Sequence, residues 1–284
     1  MGFLKDFFHT KEKRSESVVL IAISAESVAG AYVRYVKGET PVLLYTRRLP
    51  IEKHAGEPHE TAMFRTLKIL GDELVREGAP VLLRATGSGA AEAVLVSIDA
   101  PWQETSARTE SFERTTAFTF TESMVATALE KTRVTVPEKR LIDESIISTI
   151  LNGYETHNPY GRSVCRASVV ALTSLIDETI ADNIEAVLRG LFHTKNIRLI
   201  AGSSLRYQAI HAAFPHGQSA SINAFQQAFE AAQDGKLWTS GNPPKIIPVL
   251  PSHLSGLIRQ ETATPPDLQL LLMALYCGQR PLEE

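Results

Sequence analysis

Val18 to Ser24 is an almost unbroken apolar run rich in Val and Ile, and Ala31-Tyr-Val-Arg-Tyr-Val36 alternates apolar with larger polar side chains. Val42 to Leu49 follows the turn Gly38-Glu-Thr-Pro41. Short β-branched runs bounded by turn residues predict three strands with brief connections. From Thr61 to Glu77 the period changes. Phe64, Leu67, Leu70, Leu74 and Val75 fall on one side and charges on the other, which predicts an amphipathic helix ended by Gly78-Ala-Pro80. Val94 to Ile98 then predicts a further short strand.

A polar stretch from Trp102 to Thr116 leads to Phe118-Thr-Phe-Thr-Glu122, where Thr119 and Glu122 have the spacing of a capping box. The helix beginning there runs to about Lys131. Leu141 to Leu151 and, beyond the turn Asn158-Pro-Tyr-Gly161, Ser168 to Ser174 read as extended. Asp177 to Phe192 is the clearest helix, with Ile180, Ile184, Val187, Leu188 and Leu191 on one face. Ile197–Ala201, Ile222–Ala232 and Ile246–Leu250 read as strand, helix and strand. Pro265-Pro-Asp267 opens a terminal helix that turns Leu268, Leu271, Leu272 and Leu275 inward. Alternating strands and helices define an α/β protein.

With 44% hydrophobic and 21% charged residues, the 284-residue chain reads as globular rather than disordered, collagen-like or coiled-coil. A net charge of −3 gives no general attraction for nucleic acid. Cys165 and Cys277 form no ligand cluster and suit a reducing cytosol. The longest apolar run, Leu268 to Cys277, is shorter than the roughly 20 residues of a spanning helix, and Met1 to Phe8 lacks the core of a secretory signal. Gly87-Ser-Gly89 reads as a surface loop, because no GxxxxGK[ST] pattern surrounds it. His211 and His216 are off helical spacing with Pro215 between them, and no Gly-x-Ser-x-Gly elbow presents a nucleophile.

Asn152-Gly-Tyr-Glu-Thr-His-Asn-Pro-Tyr-Gly161, preceded by the extended Leu141–Leu151 and followed by Ala167-Ser-Val-Val-Ala-Leu-Thr173 and the helix at 177–192, resembles the FtsA and PilM family of bacterial actin-like proteins. The resemblance implies an actin-like, ribonuclease-H-like α/β fold carrying an inserted strand-helix-strand-strand α+β domain. Its parts would be a tail at 1–17, the actin-like domain at 18–92 and 166–284 with an incomplete second half, and the insert at 93–165. It also implies a scaffold at the cytoplasmic face of the membrane, bound to other division or pilus-assembly proteins or to itself. A PilM-like pilus adaptor is the alternative role. The ending Arg280-Pro-Leu-Glu-Glu284 lacks the amphipathic helix that the division role implies.

Family ATPases hold Mg·ATP on two Asp/Gly-rich hairpins, whose backbone N–H groups approach the phosphates while an Asp holds the hydrated metal. Here Ile21-Ala-Ile-Ser-Ala-Glu-Ser-Val28 stands where the family has Ile-Asp-Ile-Gly-Thr-Ser-Ser-Val. The degenerate nucleotide positions are therefore Ala22, Ser24, Glu26 and Ser27, and no Asp-Ile-Gly-Gly segment follows residue 210. These losses imply no catalytic residue, metal or cofactor. A reading of another class keeps ATP and Mg, as an actin-superfamily ATPase or kinase with Glu26, Asp99 or Asp177 as the metal-site acid.

Partner contacts are expected from the insert, with Trp102, Tyr154, Asn158 and Tyr160 as candidates and Phe118 and Phe120 as core. Phe3, Leu4, Phe7 and Phe8 share one helical face ahead of Lys11, Lys13 and Arg14, the composition of an interfacial anchor for a membrane or partner. A frayed tail is the equal alternative, since so short a helix is marginal in water. Asp6 breaks the myristoylation pattern.

Overall fold

The computed structural model describes residues 16–213, apart from 37, 134 and 157, together with 258–261 and 267–278. These form two compact units: one is built from the chain up to Trp102 and from Thr179 onward, the other from Gln103–Glu178.

In the first unit, β1 (Glu16–Ile23), β2 (Ser27–Tyr35) and β3 (Val42–Pro50) form an antiparallel meander. β4 (Ala93–Ile98) pairs parallel with β1, and β9 (Ile197–Ala201) pairs parallel with β4. With β10 (Arg259–Gln260) beside β3, the sheet order is β10-β3-β2-β1-β4-β9. Helices α1 (His59–Glu73), α2 (Ala79–Thr86), α4 (Glu178–Phe192), α5 (Gly202–Ala213) and α6 (Leu268–Gly278) belong with it.

Both faces of this sheet are covered. Val18, Leu20, Ala22, Ala29, Ala31, Ala93 and Leu95 share one apolar cluster with Leu205 and Ala209 of α5 and with α6 from Leu270 to Cys277. On the opposite face the Gly30 backbone lies against Leu70 and Leu74, and Tyr32 meets Phe192 edge-on at 6.4 Å. Strands buried on both sides show no polar alternation, which explains the continuous apolar run at Val18–Ile23. Asp267 caps α6, its Oδ1 accepting from the amides of Gln269 and Leu270 at 3.0 and 3.2 Å.

The second unit is an antiparallel sheet of order β5-β8-β6-β7, made from β5 (Gln103–Thr119), β6 (Lys139–Leu151), β7 (Tyr154–Glu155) and β8 (Ser163–Asp177). α3 (Glu122–Lys131) lays Val125 and Leu129 against Phe118, Phe120, Val169 and Ala171. Asn152 and Gly153, at φ 49° and 91°, make the two-residue turn between β6 and β7. The Asn152 side chain accepts from the amides of Cys165 and Arg166.

Several expectations are corrected. Gly78-Ala-Pro80 does not end the helix. A π turn at Leu74–Gly78 carries it into α2, and Gly87 in the left-handed region stops it. Pro80 falls in the first turn of α2, directly after the π turn. The polar stretch after Trp102 is the 17-residue strand β5, and it lacked alternation because most of its side chains are exposed. The cap of α3 is Thr121, whose Oγ1 accepts from the Met124 amide, while Thr119 closes β5. Ala167–Thr173 lies in β8 of the second sheet, so the compact unit is 103–178 rather than 93–165, and Val94–Ile98 belongs to the first sheet. Helix α5 was not anticipated. The expected helix at 222–232, the strand at 246–250, His216 and the tail at 1–15 lie outside the described residues.

Candidate functional site

In open α/β sheets, ligands are received at the carboxyl ends of the parallel strands. Here that edge carries the turn after β1, the end of β4 at Asp99 and the start of α5 at Gly202. Ala22 pairs with Ala29 and with Ser97 across its two neighbouring strands. Its methyl is 5% exposed and belongs to the apolar cluster under α5 and α6.

The turn at 24–27 is closed by its own hydroxyls. The Ser24 amide and Oγ both donate to the Ser27 carbonyl, at 3.0 and 2.9 Å, and the Ser27 amide donates to Ser24 Oγ at 3.1 Å. Its other carbonyls are held from outside: that of Ser24 by Trp102 Nε1 at 2.8 Å, that of Ala25 by His59 Nε2 at 2.8 Å, and that of Glu26 by the Ile51 amide at 2.7 Å. A carbonyl only accepts, so His59 carries its proton on Nε2. The His59 and Trp102 rings lie 4.7 Å apart. Arg48 donates to Ser27 Oγ and, through Nε at 2.7 Å, to Asp267 Oδ2. The turn is thus tied to β3, α1, the Trp102 segment and the cap of α6.

Asp99 is engaged by Arg206 through two bonds, Nη2 to Oδ1 at 2.8 Å and Nη1 to Oδ2 at 3.0 Å. Arg206 Nη1 also donates to Gln269 Oε1 at 3.1 Å, and Gln269 Nε2 donates to Ser97 Oγ at 2.9 Å. A cation at Asp99 would have to displace this bidentate partner. Asp177 lies in the other unit, at the end of β8 opposite Lys139. Glu26 is exposed on the turn. Among the described residues no group of three or more His, Cys, Asp or Glu is placed to hold a metal.

Trp102 is corrected as a contact residue. It is 6% exposed and belongs to the first unit, where its indole N–H anchors Ser24. Truncating only that anchor tests its weight. Trp102→Phe is expected to lower stability by about 1–2 kcal/mol in urea unfolding, the loss for a carbonyl left without its donor. An unchanged midpoint would show that the turn stands without it.

The other partner candidates lie in the second unit. Tyr154 is 78% exposed and Asn158 is exposed, while Tyr160 stacks on Phe120 at 5.8 Å. Burial raises the Tyr160 phenol above its ordinary value, with Glu122 adding to it. Phe118 and Phe120 are core, as their positions flanking the helix start implied. The residues that define the site but gave no sequence signal are Arg48, His59, Arg206 and Gln269, while Asp267 was read only as a helix start. Each is an ordinary polar residue until the fold brings it to the strand ends. Phe3, Leu4, Phe7 and Phe8 lie outside the described residues, and among the described ones no helix is long and apolar enough to cross a membrane.

The meander β3-β2-β1 continued by parallel β4 and β9 is the ribonuclease-H-like arrangement, so the protein is an α/β protein with a second antiparallel sheet. No protein-family model matches the chain, and no curated protein does. Among solved structures it is similar to the PilM-PilN type IV pilus biogenesis complex, at 14% identity and a TM-score of 0.39, over 69% of this chain and 51% of that one. A Bacteroides thetaiotaomicron protein with an actin-like ATPase fold and unknown function is similar at 8% identity and a TM-score of 0.35, over 94% of this chain and 99% of that one. The cytoplasmic domain of EpsL, an inner membrane component of the type II secretion system of Vibrio cholerae, is similar at 10% identity and a TM-score of 0.36, over 92% and 94%. The chain spans about half the length of the first of these, 51%.

Proposed function

We propose that the chain is a non-enzymatic, actin-like adaptor that works through protein contacts at a membrane-associated assembly of the division, pilus or secretion type. The observation that carries this reading is the turn at 24–27. Where the ATPase pattern needs a glycine-flanked loop with free amides and an acid beside it, two serines close the turn on itself and Ala22 contributes a buried methyl. Asp99, the other acid at the strand ends, is committed to Arg206.

The finer assignment follows the sequence resemblance at Asn152–Gly161, and the exposed Tyr154 and Asn158 are the side chains that a partner of the second unit would meet. Calorimetric titration with Mg·ATP against a magnesium control is expected to give no saturable heat. Saturable, magnesium-dependent binding would replace the adaptor by the ATPase or kinase reading. In parallel, Tyr154→Ala is expected to weaken capture of division, pilus or secretion proteins by the tagged chain, and the identity of the captured protein separates those roles.

A further inference from the structure

Asn152-Gly153 is the chain's one Asn-Gly pair. In an unfolded chain that pair deamidates readily, because glycine has no side chain to shield its own amide nitrogen. The Gly153 nitrogen attacks Asn152 Cγ, the new N–C bond closes a five-membered succinimide, the Cγ–Nδ2 bond breaks, and ammonia leaves with the proton of the glycine amide. Water then opens the ring. Cleavage at Cγ gives aspartate, whereas cleavage at the main-chain carbonyl gives isoaspartate, in which the chain runs on through Cβ and Cγ.

Both residues are exposed, so water reaches them freely. The fold nevertheless opposes ring closure in two ways. The first is the backbone. A φ of 49° puts Asn152 in the left-handed region, where ψ is about +30 to +60° and the Gly153 nitrogen points away from Cβ. Closure needs that nitrogen on the same side as Cβ, so ψ must turn far out of the region that the two-residue turn requires. The second is the side chain. Asn152 Oδ1 accepts from the amides of Cys165 and Arg166 at 3.1 and 3.0 Å, which holds the carboxamide against β8. Swinging Cγ toward Gly153 gives up both bonds. The Asn152 amide also donates to the Arg166 carbonyl at 2.8 Å, and Leu151 pairs with Tyr154 across the turn.

We propose that Asn152-Gly153 is a deamidation site gated by the fold: closed while the β6–β7 turn is docked on β8, reactive when the turn opens, and selective in which product can return. Aspartate keeps an oxygen where Oδ1 sits, tolerates the left-handed region as asparagine does, and accepts from the same two amides as a charged acceptor. Isoaspartate does not fit. Its extra main-chain carbon breaks the two-residue spacing between Leu151 and Tyr154, and the exposed Tyr154 is displaced with it. Conversion at position 152 thereby records how often the turn has opened. The gate is independent of whether the chain is an adaptor or binds nucleotide.

Peptide mass spectrometry of the full-length protein reads the site directly. In mildly alkaline buffer, at one temperature and pH, conversion at Asn152 is expected to be at least about tenfold slower in the native chain than in urea, the factor that two lost hydrogen bonds of ordinary strength supply. When urea is removed from partly deamidated protein, the folded fraction is expected to carry asparagine and aspartate at position 152 and to exclude isoaspartate. Asn152→Asp is expected to keep the parent's urea midpoint. Asn152→Ala, which leaves the Cys165 and Arg166 amides without their acceptor, is expected to lower it. Equal conversion rates in native and unfolded chains, isoaspartate in the folded fraction in the proportion formed, or midpoints that do not separate the aspartate variant from the alanine one would each overturn the proposal.

Discussion

Ala22→Asp, which places an acid where the sequence resemblance to actin-like ATPases puts one, is expected to lower stability by about 3–5 kcal/mol near neutral pH and to leave Mg·ATP unbound. The position is 5% exposed, inside a cluster shared with Leu20, Ala29, Leu205 and α6. A carboxylate placed there exchanges water for methyl groups, and an ion buried without a partner either costs several kcal/mol or takes up a proton. Ser97, directly opposite on β4, already accepts from Gln269, whose carbonyl oxygen accepts from Arg206. The only cation in that chain of bonds is committed to Asp99 by two hydrogen bonds. A new acid must break this network or remain isolated.

The pH dependence gives the mechanism away. Burial raises the folded-state pKa of the introduced carboxyl above its unfolded value near 3.9, so below that pH the group is neutral in both states and the electrostatic penalty vanishes. As pH rises toward the folded pKa, the unfolded state ionises while the folded state resists, and the gap to the parent widens. Urea midpoints of variant and parent at matched pH values test this. A constant gap would mean that the damage is steric, and a saturable Mg·ATP signal in the variant would show that a phosphate cleft persists despite the closed serine turn.

How much of this was legible in the sequence depends on what each residue had to signal. β1 and β4 were readable because strands covered on both faces are apolar throughout, and α4 because one stripe of Ile and Leu repeats at helical spacing. β5 was not, since an edge strand with most side chains in water carries no alternation to detect. Gly78-Ala-Pro80 misled because its residues are helix breakers in isolation, whereas a π turn accommodates them in this fold. That position 22 carries no acid was visible. The serine-locked turn was not, because its outside anchors, Arg48, His59 and Trp102, lie 21, 34 and 78 positions from their partners. Trp102 drew attention as an aromatic in polar surroundings. Its true role is inside, where an indole N–H satisfies one carbonyl.

Gly78→Ala is expected to destabilise by about 2–3 kcal/mol, although helix propensity alone predicts a gain near 1 kcal/mol. Gly78 has helical dihedrals, φ −81° and ψ −40°, so its backbone does not require glycine. The requirement is space. A Cβ built there lies 2.6 and 2.7 Å from Cδ2 and Cε2 of Tyr32 and 3.0 Å from Cδ1 of Tyr45. Neither ring has room to yield easily: Tyr32 is 1% exposed and packs edge-on against Phe192, and Tyr45 is held by a 2.8 Å bond from its hydroxyl to Glu77. Overpacking therefore outweighs propensity at this site. Gly190 in α4 supplies the opposite case, because nothing lies within 4 Å of its built Cβ. Gly190→Ala is expected to stabilise by about 0.5–1 kcal/mol, the propensity gain without the clash. Urea unfolding of both variants separates the two effects. Shifts of the same sign would show that backbone freedom, not the Tyr32 and Tyr45 rings, decides what position 78 accepts.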